Sequence, residues 1–267
     1  MKERYPKISI ITPSFNSSKY IEDCIQSVLN QNYPNFEHII IDGGSNDDTI
    51  FILKKYSHLI WISETDKGQS NALNKGIKIS NGKIVGWLNS DDYYLPGVFF
   101  KMVNIFNNKP NIDILFSDCI FVDENNKFLR FKREPGFYKN MLLYYGCYIP
   151  SVSTFFNLNN IKKSHLFFDE NLHNVMDFDL FLSLYEKGYS YYYCNDIWGV
   201  YRLYNDNKTI KFADQRKEER FKVQKKYSKI VFKNDNINKI YYEIMRIVYK
   251  IYHIVLKLIK GKYFEKK

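Results

Sequence analysis

The order of strand and helix signals along the first hundred residues most narrowly restricts how this chain can fold. Four short apolar segments have the composition of strands, at residues 7–12, 36–41, 59–63 and 84–88. Between them lie segments that are expected to be helical, at residues 18–31, 48–56 and 68–79. This βαβα order predicts an α/β domain with a mostly parallel central sheet flanked by helices.

The pattern changes after about residue 110 and favours antiparallel pairing. Strand-like segments occur at residues 112–117, 120–122 and 128–130, and residues 123–126 have the composition of a hairpin turn. Residues 140–160 are expected to form a loop and a strand that cover one side of a site. A helix and a final strand complete the expected domain, at residues 174–187 and 189–196.

Small, acidic or amide residues follow each of the four N-terminal strands. Ligands bind outside the carboxyl ends of the strands in an open α/β sheet, so the spacing predicts that these segments share one edge and one site. After the second strand, the Asp42 carboxylate is a candidate to accept a hydrogen bond from a base or a ribose hydroxyl. Gly43 and Gly44 would let the backbone approach a flat ligand closely.

The segment Asn89-Ser90-Asp91-Asp92 ends the fourth predicted strand with oxygen ligands. Hard divalent cations prefer carboxylate, amide and water oxygens, and Mg²⁺ is often held by one or two carboxylates together with substrate phosphates. The segment therefore indicates a metal-bound diphosphate. Taken alone, it is equally compatible with an Asx turn or a helix N-cap, because the same residue types form both.

Several other chemistries lack their sequence signals. No Gly-x-Gly-x-x-Gly follows the first strand and no Gly-Lys-Ser/Thr loop occurs, which argues against NAD binding and ATP hydrolysis. An aspartate-dependent phosphohydrolase is disfavoured because Thr12 and Pro13 stand where its nucleophile would end the first strand. The four cysteines are far apart, so we expect reduced core residues and no zinc or redox motif: Cys24, Cys119, Cys147 and Cys194.

Four blocks of sequence resemble the family 2 glycosyltransferases of the GT-A fold, in the same order and with similar spacing. These blocks are residues 9–16, 40–49, 63–76 and 86–92. The likeness is dense over about the first 100 residues and continues to about residue 205. It implies a nucleotide-sugar donor, usually a UDP-sugar, held by the N-terminal half. The implied donor-binding residues are Thr12, Ser14, Asn16, Asp42, Gly43, Ser45, Asp66, Gly68, Gln69, Asn74, Asn89, Ser90, Asp91 and Asp92.

The fourth block departs from the family pattern at its first acid. The family usually has Asp-x-Asp, whose second acid binds Mg²⁺ or Mn²⁺ on the diphosphate. Here Asn89 takes the first position and Asp91 the second, so the resemblance implies Asp91 as the metal ligand. Asp92 is expected to support Asp91 or to cap the next helix. Because an amide supplies no charge, we expect a lower affinity for the metal.

Transfer to a hydroxyl requires a general base, because the hydroxyl is a poor nucleophile until its proton is removed. Residues 174–184 resemble the family's Glu-Asp-x-Asp-Leu motif at the start of a helix, with Met176 in place of the Glu. The resemblance implies Asp177 as the base. An acid in the first turn of a helix also has a purely structural explanation, and Asp179 is expected to be structural.

The acceptor side of the site carries weaker signals. Residues 150–156 resemble a strand of the relatives and imply Ser151 and Thr154 as acceptor-side residues. Relatives often carry His at the position of Tyr204, so Tyr204 receives no role. Arg202 is a candidate to neutralise a phosphate, and a surface ion pair would explain it equally well.

The basic residues of the chain are concentrated in its tail. Residues 1–210 contain 22 Lys and Arg against 23 Asp and Glu, whereas residues 211–267 contain 17 against 6. A nucleic-acid-binding enzyme would carry such charge around its cleft, so we expect no nucleic acid partner. A basic tail suits an anionic surface instead. Residues 211–233 are expected to form a surface helix or a linker.

Residues 237–260 have an amphipathic helical pattern. Their polar residues recur at steps of four and three on one narrow stripe, namely Lys239, Glu243, Arg246, Lys250, His253, Lys257 and Lys260. The segment is too charged to span a bilayer. It suits a helix lying in the headgroup region of an anionic membrane, with His253 solvated. The alternatives are a helix packed on the catalytic domain or in the seam of a homodimer.

These observations predict a catalytic domain over residues 1–210, divided at residue 110 into a donor half and an acceptor half, and a basic helical tail over 211–267. The N-terminus lacks the apolar core of a secretory signal, so we expect a cytoplasmic protein, peripheral on the inner face of the cell membrane. The expected activity is inverting transfer to a saccharide or lipid-linked acceptor in cell-surface polysaccharide or glycolipid assembly. The alternative is a non-catalytic nucleotide-sugar-binding or scaffold protein of the same fold.

Overall fold

Four parallel strands form the N-terminal half of the central sheet. The computed structural model describes residues 4–204 and 212–262. The parallel strands are β1 (Ile8–Ser14), β2 (Phe36–Asp42), β3 (Leu59–Ser63) and β4 (Ile84–Trp87), in the order β3-β2-β1-β4. The helices between them are α1 (Ile21–Leu29), α2 (Thr49–Leu53) and α3 (Gln69–Ile79). The prediction of a parallel βαβα half is confirmed.

The strand order reverses at β1, which pairs with β2 on one side and with β4 on the other. The chain therefore leaves β1 and β4 in loops that diverge, and a crevice opens between them at the carboxyl edge. β1 and β4 are buried along their whole length, as expected for strands covered on both faces. This crevice is where the predicted site residues are concentrated.

The C-terminal half extends the same sheet with mixed pairing. Its strands are β5 (Tyr93–Tyr94), β6 (Ile114–Val122), β7 (Phe128–Lys132), β8 (Thr154–Asn157) and β9 (Tyr191–Arg202). β8 lies antiparallel between β4 and β6, β9 lies parallel to β6, and β7 and β5 pair antiparallel with β6 and β9. The helices of this half are α4 (Val98–Asn108), α5 (Lys139–Tyr145) and α6 (Met176–Glu186).

Several element boundaries differ from the sequence predictions. The segments predicted at 112–117 and 120–122 belong to one strand, and the strand predicted at 189–196 continues to Arg202. The hairpin turn is confirmed, because the Asp123 carboxylate accepts hydrogen bonds from the backbone of Asn125 and Lys127. α4 and α5 have no counterpart among the predicted elements. α5 lies within residues 140–160, where a short apolar run does not distinguish a helix from a strand.

Alternate residues of the sheet strands supply two hydrophobic layers. Ile8 and Ile10 of β1 pack with α1 and α4, whereas Ile11 packs on the opposite face with α3, α5 and α6. β8 divides in the same way, with Phe155 in one layer and Phe156 in the other. β8 thus joins the two halves of the chain through both layers of the core. The four cysteines are free. Cys24 and Cys119 are buried in the core, as predicted, whereas Cys147 and Cys194 are only half-buried.

Two helices of the tail pack against the second half of the domain. They are α7 (Ala213–Tyr227) and α8 (Asp235–Ile259). Val223 and Tyr242 enter the core, and the Tyr249 ring stacks on Tyr144 of α5 with 5.5 Å between centroids. One face of α8 therefore packs on the domain, as one of the alternatives predicted. The expected boundary at residue 210 lies outside the described residues.

The prediction that His253 is solvated is wrong. His253 is buried on α8, and its Nε2 lies 2.7 Å from Oε2 of Glu134, which is also buried. Its ring stacks on Tyr145 with 4.9 Å between centroids. The helical spacing placed His253 on the polar stripe correctly, but it gave no sign that a buried carboxylate from a distant segment would face that stripe. Lys262, just beyond α8, is also buried and lies 3.6 Å from Asp118.

We expect His253→Ala to loosen the docking of α8. The substitution removes the contact of the buried Glu134 Oε2, while Oε1 keeps Lys132 at 3.8 Å. The loss should lower the free energy of unfolding by about 1–3 kcal/mol. Urea denaturation followed by circular dichroism measures this loss. Lys250→Ala, at an exposed position of the same helix, is the control for helix propensity. Equal losses in the two variants would contradict a stabilising role for the His253 contact.

Candidate functional site

A cavity of about 960 Å³ opens at the carboxyl edge of the parallel strands. Its lining includes eleven of the predicted site residues, which come from both halves of the chain. They are Ser14, Asn16, Gly43, Asp66, Gly68, Gln69, Asn89, Ser90, Asp91, Ser151 and Asp177. A cavity of this size is in the range that holds small-molecule ligands and cofactors.

Seven other predicted residues do not line this cavity and make internal contacts instead. The Thr12 hydroxyl lies 2.9 Å from Nε2 of His38, whose pKa burial lowers to about 3. Asn74 Nδ2 donates to the Phe168 carbonyl, and Thr154 Oγ1 donates to the Pro150 carbonyl. The remaining four are Asp42, Asp92, Arg202 and Ser45, whose amide donates to Asp42.

Asp42 holds together the loop that follows β2. Its fully buried carboxylate accepts hydrogen bonds from the Gly44 and Ser45 amides, at 3.1 and 2.9 Å, and from the Ser63 hydroxyl at 2.7 Å. The Ser45 hydroxyl also donates to it. Gly44 has φ 83°, a left-handed conformation that favours glycine. Asp42 thereby presents Gly43, which lines the cavity beside Asp66.

The loop that follows β1 is fixed by contacts to two neighbouring loops. Asn16 accepts a hydrogen bond from the Asn46 amide through its side chain and donates its own amide to Ser45 Oγ. The Ser17 and Ser90 hydroxyls lie 2.8 Å apart, which joins this loop to the end of β4. Within the described residues, the buried Ser14 hydroxyl has no hydrogen-bond partner, although it lines the cavity. An unpaired buried hydroxyl at this place favours a ligand that completes it.

Asn89 is held in one orientation by three hydrogen bonds. Its Oδ1 accepts from Trp87 Nε1 and Gln69 Nε2, both at 2.8 Å. Its Nδ2 donates to Oδ2 of Asp92 at 3.1 Å. The amide therefore contributes an N–H to the buried Asp92 carboxylate, which a carboxylate at position 89 could not do. Trp87 and Gln69 both line the cavity next to it.

Asp91 and Asp92 form an adjacent pair of carboxylates at the end of β4. Burial raises the pKa of both carboxyls, and the charge of Asp91 raises that of Asp92 further. The Tyr204 hydroxyl donates to Asp91 Oδ2 at 2.9 Å. The Arg202 amide donates to Asp92 Oδ1 at 3.1 Å. Asp91 lines the cavity, whereas Asp92 is fully buried behind it.

Arg202 supports this pair from the core side. Its Nε donates to the Asp91 carbonyl at 3.1 Å, and its Nη2 lies 2.7 Å from Oδ2 of Asp23. The guanidinium lies 4.2 Å from the centroid of the Tyr20 ring. The ion pair considered from the sequence is present, with a guanidinium that is only 2% exposed and an Asp23 side chain that is 50% exposed. The structure thus places Arg202 next to Asp91.

A hard cation fits the oxygen atoms at this position. The described residues contain no cluster of three or more His, Cys, Asp and Glu side chains suited to a metal. Asp91 nevertheless presents a carboxylate to the cavity, and Mg²⁺ commonly takes one or two carboxylates with the remaining ligands from phosphates and water. A cation would also compensate the charge that burial disfavours in the Asp91 and Asp92 pair.

Asp177 lines the cavity from the first turn of α6. Burial raises the pKa of its carboxyl, and hydrogen bonds from the Phe178 amide and the Cys147 thiol oppose that rise. The Phe178 amide donates to Asp177 Oδ1 at 2.8 Å. A carboxylate with a raised pKa is a better proton acceptor near neutral pH than an exposed one. The arrangement therefore suits a general base.

The cavity wall also contains residues that were not predicted from the sequence. They are Pro13, Phe15, Ser17, Lys19, Tyr20, Thr65, Ala72, Trp87, His173, Asn174, Met176, Tyr201 and Tyr204. Most lie within a few residues of a predicted one, so proximity to the strand ends was the available signal. Tyr204 is the most informative of them because its hydroxyl contacts Asp91. The sequence marked it only as a position where relatives often carry another hydrogen-bonding side chain.

Comparisons with known proteins agree with this architecture. A sequence profile described as Glycosyl transferase family 2 matches residues 9–168. The chain is 29% identical over 228 residues to chondroitin synthase of Escherichia coli, an alignment that covers 83% of this chain. The chain spans 32% of the length of that relative.

Solved structures share the fold at low sequence identity. S. aureus TarS 1-349 in complex with UDP-GlcNAc superposes with a TM-score of 0.66 at 19% identity, over 91% of this chain and 72% of that one. Mannosyltransferase PcManGT from Pyrobaculum calidifontis, in complex with GDP-Man and Mn2+, gives a TM-score of 0.61 at 14% identity, over 91% and 74% of the two chains. The expected GT-A fold is confirmed by this similarity.

We expect Asn89→Asp to destabilise the protein in a pH-dependent way. The new carboxyl would face the Asp92 carboxylate, so its folded pKa would rise above the unfolded value. Such a group destabilises the fold above its folded pKa, and the loss disappears as the pH falls towards the unfolded pKa. The free energy of unfolding should drop by about 1–3 kcal/mol at pH 8 and by less at pH 5.

Urea denaturation at the two pH values measures this effect. Asn125→Asp, in the exposed turn between β6 and β7, is the matched control and should behave like the parent protein. A loss in Asn89→Asp that is independent of pH would show that repulsion between carboxylates is not its cause.

Proposed function

Because the chain belongs to glycosyl transferase family 2, we propose that it transfers a sugar from a nucleotide-sugar donor to a hydroxyl of an acceptor. The observation that carries the proposal is that two carboxylates from distant parts of the chain line one cavity. Asp91 ends β4 and Asp177 begins α6. Their positions suit the two tasks of the reaction, which are to balance charge on the leaving diphosphate and to accept a proton.

The donor in this proposal is a UDP-sugar held by the loops after the parallel strands. The unpaired Ser14 hydroxyl, the backbone of Gly43 and the Asp66 side chain line the cavity and offer polar contacts that would orient a nucleotide. TarS, which shares the fold, was solved with UDP-GlcNAc. Asp42 and Thr12 would act indirectly in this scheme, because Asp42 holds the loop after β2 and Thr12 joins β1 to His38 of β2.

The residues at the end of β4 would hold Mg²⁺ or Mn²⁺ on the donor diphosphate. Asp91 would be the carboxylate ligand, and the fixed Asn89 amide and Ser90 hydroxyl lie beside it in the cavity wall. The cation would supply stabilisation of the negative charge that develops on the departing nucleoside diphosphate. Tyr204 would support binding of the cation, because its hydrogen bond favours the ionised form of Asp91.

The acceptor hydroxyl would be activated by Asp177. As its oxygen forms a bond to the anomeric carbon, the bond from that carbon to the diphosphate oxygen breaks, and the hydroxyl proton passes to the Asp177 carboxylate. One direct displacement inverts the anomeric centre. Ser151 lines the cavity on the acceptor side. The name chondroitin synthase supports a saccharide acceptor, and we propose a role in cell-surface polysaccharide or glycolipid assembly on the cytoplasmic side of the membrane.

A nucleotide-sugar-binding protein without activity is the second candidate. It is favoured by Met176, which lines the cavity where an acidic residue of the family motif would stand. A panel of UDP-sugars incubated with Mn²⁺ or Mg²⁺, with thermal shift and mass spectrometry as readouts, separates the two. Binding without transfer or hydrolysis for any donor would favour the second candidate.

We expect Asp177→Asn to abolish transfer while leaving donor affinity nearly unchanged. Removing a general base lowers the rate by about 10²–10⁴-fold. Because burial raises the pKa of Asp177, transfer by the parent should fall as the pH drops through that raised pKa. Transfer assays across a pH series and calorimetric titration with the donor measure both effects. Asp123→Asn, in the exposed hairpin turn, is the control, and near-parental transfer by Asp177→Asn would refute the base assignment.

We expect Asp91→Asn to remove most of the stimulation of transfer by Mn²⁺ or Mg²⁺, with a loss in rate of about 10²–10³-fold. The fold should keep its stability at neutral pH, because burial already disfavours the charged form of Asp91. Metal titrations of transfer and of donor binding measure the change, again with Asp123→Asn as the control. Unchanged metal dependence would show that the cation binds elsewhere.

A further inference from the structure

The outward face of α8 is covered with aliphatic side chains. Ile240, Ile247, Ile251 and Ile259 are 62%, 57%, 58% and 76% exposed. We define the aliphatic face as Ile237, Ile240, Ile244, Ile247, Val248, Ile251, Val255, Leu258 and Ile259, all of which are exposed. The opposite side of the helix is occupied, because Tyr242 and His253 pack into the domain. A contiguous exposed apolar surface of this extent marks a site of interaction.

The turn before α8 extends this surface. Ile230, Val231 and Phe232 are 48%, 46% and 41% exposed, and Lys229 and Lys233 stand on either side of them. Asn238 fixes the turn to the start of α8. It accepts a hydrogen bond from the Phe232 amide at 2.7 Å and donates to the Phe232 carbonyl at 2.9 Å. The turn and the helix therefore present apolar side chains as one unit.

The turn at the start of this apolar surface is bordered by positive charge, because Lys229 and Lys233 are exposed on either side of it. Lys239 and Lys250 add exposed positive charge on the polar stripe of α8. The nearby acids are neutralised within the protein, since Asp235 lies 2.7 Å from Lys225 and Glu243 lies 2.8 Å from Arg220. The charges that remain beside the apolar surface are therefore positive. Such a border complements an anionic surface.

We propose that the aliphatic face docks in the headgroup region of an anionic lipid bilayer, with α8 parallel to the membrane plane. An amphipathic helix in this position buries its apolar side chains at the boundary of the acyl chains, and bordering lysines attract anionic headgroups. The domain lies on the other side of α8. No described helix is long and apolar enough to cross a membrane. This inference stands independently of the proposed transfer reaction.

The structure changes what the polar stripe of α8 is expected to contact. The sequence pattern placed His253 of this stripe in solvent, but His253 faces Glu134, and Lys260 donates to the Pro135 carbonyl. These polar residues help to attach α8 to the domain. The aliphatic side chains remain the side of the helix that is expected to contact lipid.

The alternative to lipid is that a second copy of the chain covers the aliphatic face. Ile237, Ile240, Ile244, Ile247 and Ile251 recur at steps of three and four, a spacing that also packs helices together. Two observations favour lipid over this alternative. The lysines on the border would repel those of a second copy, and the Ile230-Val231-Phe232 turn lies outside the helical repeat.

Flotation with lipid vesicles tests the proposal on the full chain. The probes are vesicles of phosphatidylcholine alone and of phosphatidylcholine mixed with phosphatidylserine. We expect the parent to bind the mixed vesicles at least about tenfold more tightly than the neutral ones, and less tightly as salt increases. The variant Ile240→Ser/Ile247→Ser/Ile251→Ser should lose at least about tenfold in binding.

The matched control replaces three exposed apolar residues elsewhere, in the variant Phe51→Ser/Ile60→Ser/Phe100→Ser. It should bind vesicles as the parent does. Far-UV circular dichroism and thermal unfolding establish that each variant is folded. The proposal is overturned if the parent ignores mixed vesicles or if the α8 variant binds them as well as the control does. It is also overturned in favour of a second copy if sedimentation shows parent oligomers that only the α8 variant dissociates, without any binding of lipid.

Discussion

Parallel pairing of β1 with both β2 and β4 is the constraint on which the site depends. Because β1 lies between its two partners, the loops after β1, β2 and β4 emerge at the same edge, and the crevice between β1 and β4 stays open. Hydrogen bonds between the loops then set their relative positions, as the contact between Ser17 and Ser90 illustrates. A cavity with polar walls follows from the strand order before any particular ligand is considered.

The C-terminal half completes this cavity and stabilises the buried carboxylates of Asp91 and Asp92. Adjacent carboxylates at the end of β4 are costly to bury, since desolvation and mutual repulsion both oppose their charge. The end of β9 offsets that cost, because Arg202 hydrogen-bonds to both residues of the pair and Tyr204 donates to Asp91. α6 brings Asp177 to the same cavity. Neither half of the chain by itself lines the cavity with both Asp91 and Asp177, the two carboxylates of the proposed reaction.

The tail shows how one amphipathic helix divides its contacts. Aromatic and polar side chains of α8 face the domain, where His253 contacts Glu134 and the Tyr249 ring stacks on Tyr144. The aliphatic side chains face outward. A surface helix usually turns its most apolar residues towards the core. α8 has the opposite arrangement, which a separate partner for its apolar side would explain. The proposed lipid surface supplies one.

Local patterns in the sequence were sufficient to determine the parallel half of the fold and the segments that surround the cavity. Strand and helix periodicity act over a few residues, and parallel strands share a carboxyl edge, so Asp91 and Gly43 could be located from spacing alone. Tertiary structure decided which side chains face the cavity. Asp42 turns inward because the Ser63 hydroxyl of β3 and the amides of its own loop donate to its carboxylate, and Arg202 turns inward to contact Asp23, far away in the chain. The burial of His253 and the exposure of the aliphatic face likewise depend on segments far away in the chain. The periodicity of a single segment carries no information about such distant contacts.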